Sequence, residues 1–184
     1  MDPIETFAVA LDEAAAVLGR VSADQWSVQS PCSEWDVRGV ANHMTGGALM
    51  VAAAVTGQPM AHADDFVGDD PVGAFRSAAD AALSAMRADP SVLGRLVKLP
   101  FGEMPGAVVA GIFTNDEFAH AWDVAKATGQ NTDLNPTMAD GCLAAAKQFI
   151  TPELRGPGLF GPETTAPAGA SAADRLAAFM GRTV

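Results

Sequence analysis

The chain has 184 residues, 49% hydrophobic and 18% charged, which is enough apolar side chain for one core and too much for a disordered polymer. Eleven Lys and Arg stand against 22 Asp and Glu, a formal charge of −11, so the field of the whole molecule repels phosphate backbones and anionic lipid, and no nucleic-acid partner is expected. Cys32 and Cys142 lie far apart and outside any CxxC pair, which excludes a zinc knuckle or a dithiol redox motif.

The N-terminal MDPIETFAVALDEAAAVLG carries acids where a secretory signal carries basic residues, so a cytoplasmic location is expected. Within it Ile4, Phe7, Leu11, Ala14, Ala15 and Leu18 recur at three and four residues and predict a helix over Pro3–Leu18, capped by Asp2. The Ser-rich stretch from Ser22 to Trp35 reads as a loop that Trp26 and Trp35 anchor by burial. A second helix is predicted over Asp36–Thr56, closed by Gly57 and carrying His43 near its middle. Its apolar run is broken by Asn42, His43, Thr45 and Gly46 and falls short of the roughly 20 residues a membrane-spanning helix needs, so no membrane segment is read.

After a loop rich in Asp and Gly, a third helix is predicted over Pro71–Ala88, with Asp70 as cap and Pro90 beyond its end. Leu93–Gly106 is read as irregular and partly extended; its apolar residues Leu96, Val97, Leu99 and Phe101 are too few to decide for a hairpin. A fourth helix from near Pro105 to about Thr128 carries Asp116, His120 and Asp123. A fifth follows over about Thr137–Ile150, then Pro/Gly-rich coil over 152–169, then a short docking helix from Ser171 through Met180, with the whole of 1–184 forming one domain.

The chemistry rests on three histidines. His43 and His120 fall inside apolar helical stretches, where an imidazole needs either a hydrogen bond or a metal to offset its desolvation. Asp116 and His120 are four residues apart and share a helix face, roughly 5–6 Å between Cβ atoms, a spacing that serves a chelate or a plain hydrogen bond alike. Carboxylate plus imidazole suits zinc, nickel or iron. Glu117, three residues before His120, is the alternative carboxylate; Asp123, three after it, either orients a ring nitrogen or pairs with Arg38. His62 is expected on the surface, and Cys32 and Cys142 are expected as small buried side chains. Without GxGxxG, GK[ST] or GxSxG, neither dinucleotide binding, a phosphate cradle nor a hydrolase elbow has support.

The stretches SPCSEWDVRGVANHM and FAHAWDVAKATGQ and the terminal DRLAAFMGR resemble, in order and separation, the actinobacterial mycothiol-dependent maleylpyruvate isomerase N-terminal-like proteins of the DinB superfamily. The resemblance spans nearly the whole chain. It implies an all-α fold, a DinB-like four-helix bundle with additional short C-terminal helices. It also implies a divalent metal, zinc or nickel, held by a His on the second helix and a Glu-xxx-His pair on the later long helix. By position these become His43, Asp116 and His120, with Asp where the family pattern has Glu.

The resemblance further implies the low-molecular-weight thiol mycothiol as cofactor or co-substrate, and isomerase or S-transferase activity on a small electrophile. Trp35 and Trp122, with Trp26, are the residues expected to shape the pocket. Three protein ligands leave open positions at which a thiol is deprotonated, or at which water becomes a hydrolytic nucleophile. The family's isomerase has a further C-terminal domain that supplies part of its active site, so a transferase is the stronger implication for this chain. A non-catalytic helical module that binds a partner or forms a homodimer is the competing expectation.

Overall fold

The computed structural model describes residues 2–60, 62–156 and 160–184. Helices begin where a side chain can accept from the free N–H groups of a first turn. Asp2 starts α1 (Pro3–Leu18), Asp36 starts α2 (Val37–Thr56) and Asp70 starts α3 (Pro71–Ala88), each accepting from backbone two or three residues on. Asn135 and Ser171 do the same for α5 (Pro136–Phe149) and α6 (Ala172–Phe179). Gly57 closes α2 with φ 67°, a conformation that costs glycine nothing.

The stretch expected to be irregular is an antiparallel hairpin of β1 (Leu96–Leu99) and β2 (Gly102–Pro105), with Leu96 opposite Pro105 and Leu99 opposite Gly102. The all-α expectation is corrected accordingly: the fold is mostly helical with one small sheet. Only Val97 and Leu99 of β1 are buried, and two inward residues are too short a pattern to read as period two. α4 (Gly106–Ala127) follows directly; a Cβ at Gly106 would collide with the Val92 carbonyl, so glycine sets how tightly the hairpin turns into the helix.

α2 packs on α3, α1 on α4 and α3, and α2 on α4, closing a four-helix core; α5 and α6 pack on each other and on α4. Phe7, Phe75 and Phe118 are fully buried in that core, each contributing roughly 1.5–3 kcal/mol relative to exposure. α4 is covered around most of its girth, so Thr114, Glu117, His120 and Asp123, spaced three apart, lie in protein and not in water. No helix among the described residues is long and apolar enough to cross a membrane.

The predicted coil over 152–169 holds a short 3-10 turn at Pro152–Leu154 and a bridge between Arg155 and Phe160. Pro157, Gly158 and Leu159 of that coil lie outside the described residues, as does Ala61 of the loop holding His62. Arg155 ties the stretch to α6 by donating to the Gly161 and Phe179 carbonyls at 2.8 and 2.9 Å. Beyond α6 the tail crosses Gly161 at Gly181, where φ is 94° and an added Cβ would stand 2.7 Å from the Gly161 Cα.

Candidate metal centre

The loop before α2 is stitched by its own polar side chains. Gln29 Nε2 donates to the Trp35 carbonyl at 2.8 Å and lies 3.2–3.3 Å from three neighbouring carbonyls, and Ser30 Oγ donates to the same Trp35 carbonyl at 2.7 Å. This fold-back lays the Trp35 ring on His43, with centroids 4.7 Å apart and 27° between planes. Trp26 and Trp35 are half-buried and packed on the core, where they anchor the loop. Gly46 and Gly47 in α2 leave room for the Phe66 and Phe113 rings, each within 3.2 Å of where a Cβ would be. Side chains there would fill the space beside His43.

α2 and α4 bring His43, Asp116 and His120 together. His43 Nε2 lies 3.1 Å from Asp116 Oδ2, His120 Nε2 lies 3.6 Å from Asp116 Oδ1, and the three donor atoms all fall within 4.8 Å of one another. Ligand atoms around a tetrahedral zinc at roughly 2.0–2.2 Å stand roughly 3.3–3.6 Å apart, so this donor set fits a divalent ion with small adjustment. Burial alone would lower the His43 pKa, but the hydrogen bond and charge of Asp116 outweigh it and raise it. Burial likewise acts to raise Asp116, and the His120 and His43 rings outweigh it and hold the carboxyl below its usual range. Each group favours the charge state of the other.

Behind His120 lies a second, closed set of contacts. Asp123, 0% exposed, accepts from His120 Nδ1 at 3.0 Å, Cys32 Sγ at 3.2 Å and Arg182 Nη2 at 2.8 Å on Oδ2, and from Arg182 Nε at 3.1 Å on Oδ1. The Asp123–Arg38 pairing weighed from the sequence does not occur: Arg38 pairs with Asp65 at 2.8 Å, and Arg182 from the tail takes Asp123. Burial acts to raise the Asp123 carboxyl, but His120 and Arg182 outweigh it and hold it well below the usual carboxylate range. An ionised carboxylate only accepts, so His120 donates from Nδ1 to Asp123 and presents Nε2 as the nitrogen that faces Asp116.

Cys32, His120 and Asp123 also cluster within 4.8 Å, a second trio able to hold an ion. Arg182 already neutralises Asp123, and burial with the Asp123 charge pushes the Cys32 thiol up to about 12, so this trio presents a protonated thiol and a paired carboxylate. It is a poor cation site beside the first. Glu117, the alternative carboxylate, faces the core at 0% exposure, belongs to neither trio, and has no hydrogen-bond partner for either oxygen among the described residues. Burial, with the charge of Asp116, holds it protonated, well above the usual range.

Two cavities flank the first trio. One of about 420 Å³ lies on the α2 side, with Trp35, His43, Phe101 and Asp116 in its wall. The other, of about 460 Å³, lies toward α5, with Val108, Phe149, Phe160 and Met180 in its wall. Ile112 and Asp116 line both. Trp122, expected in the pocket, lines neither: it is 1% exposed and donates from Nε1 to Asp174 at 2.8 Å. His62 is exposed and Cys142 is buried in the core, as read from the sequence. The sequence reading missed Arg182, whose partner lies 59 residues away and leaves no local signal.

A family profile described as the mycothiol maleylpyruvate isomerase N-terminal domain matches residues 7–125. Two proteins described as uncharacterized, from two strains of Mycobacterium tuberculosis, are each 43% identical to this chain over 187 residues, covering all of both chains. No solved structure matches the chain. The helical bundle, the His43–Asp116–His120 cluster and the match over most of the chain agree, and the chain belongs to the mycothiol maleylpyruvate isomerase N-terminal domain family.

Proposed function

We propose that this protein is a divalent-metal-dependent enzyme that transfers a low-molecular-weight thiol of the mycothiol class to a small electrophile, with zinc or nickel held by His43, Asp116 and His120. The observation that carries this reading is the convergence of two imidazole Nε2 atoms and one carboxylate within 4.8 Å, where two cavities share a wall. When bound, a divalent ion supplies Lewis acidity that lowers the pKa of a thiol entering its open position. In the transfer the thiol proton would pass to solvent water, the sulfur would bond to the electrophilic carbon, and the leaving group would depart with the electron pair that held it.

The chain's residues divide the work. Asp116 contributes one negative charge and the two imidazoles none, so a dication held there keeps a net positive charge that favours an anionic sulfur. Trp35, stacked on His43, fixes that ring. Ile112 and Asp116 line both cavities, so the spaces offered to the thiol and to the electrophile meet at the carboxylate ligand.

Elemental mass spectrometry of untagged protein tests the site. About one equivalent of zinc or nickel is expected in wild type, and loss of it in both H43A and H120A. Wild type that stays metal-free after zinc or nickel is added back overturns the ligand assignment. Turnover of an electrophile that needs no thiol would move the reading to hydrolysis by bound water.

A further inference from the structure

The residues matched by the family profile end at 125, and Arg182 lies well beyond them in the C-terminal tail. Its guanidinium is nonetheless largely buried, with the side chain 12% exposed. It meets Asp123 with the planar fork arginine offers a carboxylate, Nε to Oδ1 at 3.1 Å and Nη2 to Oδ2 at 2.8 Å. Nη1 donates to the Met180 carbonyl at 3.2 Å and Nη2 reaches Cys32 Sγ at 3.5 Å, so the head is held on three sides.

We propose that Arg182 is a positioning residue of the metal site: its two-point grip fixes the plane of Asp123, which fixes the ring and the hydrogen position of His120. Two contacts to a carboxylate remove its rotation, where one would leave it free to turn. A fixed Oδ2, 3.0 Å from His120 Nδ1, holds a ring hydrogen on Nδ1 and aims Nε2 at the position facing His43 and Asp116, so that Nε2 is the nitrogen an ion would take. Without the grip, the acceptor loses its direction and the ring samples the tautomer with hydrogen on Nε2, where it blocks a ligand bond. The site is thus completed by a residue from the end of the chain, delivered past the Gly161–Gly181 crossing.

The use of this grip toward a metal rests on the ligand reading given above, and the experiment separates the two. Full-length wild type, R182Q and R182K, labelled with 15N-histidine and freed of metal with EDTA, are compared by long-range 1H–15N spectra. Zinc affinity is then measured by competition with a chromophoric chelator, and helicity by circular dichroism. At a pH alkaline enough for the ring to be neutral, wild-type His120 is expected as the Nδ1–H tautomer alone, and R182Q as a mixture, with zinc bound about 10- to 100-fold more weakly. R182K, which can touch only one oxygen at a time, is expected between them.

A wild-type His120 spectrum in folded R182Q, with zinc affinity within about twofold, overturns the assignment. If R182Q does not fold, R182K carries the comparison, and a wild-type spectrum and affinity there overturn it equally. If wild type takes up no zinc, the ligand reading fails, and the tautomer comparison alone decides the role of Arg182.

Discussion

Glu117 brings a carboxyl group into the core without a partner among the described residues, while three and six residues on, His120 Nδ1 and both Asp123 oxygens are hydrogen-bonded. Leaving a buried polar group unpaired costs about 1–3 kcal/mol, so α4 carries a local liability beside its site. Kept neutral by its burial, Glu117 leaves Asp116 as the carboxylate with charge to offer the imidazoles. The two thiols are also kept neutral: burial, joined at Cys32 by the Asp123 charge, pushes both up to about 12. Thiolate is then scarce below that value and grows about tenfold per pH unit as it is approached. Native protein at pH 8 is expected to react with Ellman's reagent on the order of a thousandfold more slowly than a free thiol, speeding up toward pH 10. Both thiols should react promptly once the protein is unfolded. A fast stoichiometric reaction in the native state would show that Cys32 is a thiolate and that the Asp123 cluster has been misread.

Among the elements, the tail beyond α6 depends on a backbone crossing that has no room for a side chain. G181A is expected to lower the melting temperature by several degrees and to weaken zinc binding as R182Q does, because it adds a 2.7 Å clash to a positive φ of 94°. G169A is the control: its φ of 79° is also strained, but nothing lies within 4 Å, so a loss of about 1 kcal/mol without a change in zinc affinity is expected. Equal zinc affinity in G181A and wild type would uncouple the crossing from the site. The helices themselves were legible because Asp2, Asp36, Asp70 and Ser171 mark their starts and the apolar residues keep a helical period. The hairpin was not, since two inward residues make no readable period. Trp122 was expected at the pocket, but it stands two residues from His120 on a different face of α4, and its indole turns to Asp174. The pairing of Asp116 with His120 followed from their shared helix face, and that of His43 with both from the family resemblance alone; the pairing of Asp123 with Arg182 is set only by how the tail docks.

At the scale of the whole molecule, the region matched by the family profile does not close its own core. Residues 1–125 would expose the α4 surface that α5 and α6 cover, free the Trp122 indole from Asp174 and leave Asp123 as a buried charge without Arg182. Losing one partner of a buried ion pair costs about 3–5 kcal/mol, a large part of the stability of an ordinary domain. A 1–125 fragment is expected to melt broadly with weak cooperativity by circular dichroism, where full-length protein melts sharply. An equally sharp transition in the fragment would show that α5 and α6 are accessory to the fold. The shared wall of Ile112 and Asp116 carries a consequence for turnover. Under the transfer reading, the new carbon–sulfur bond forms across that wall, and the conjugate straddles it with one half in each chamber. Under that reading such a product would compete with both substrates at once, and its release past Ile112 would be the step expected to limit the cycle.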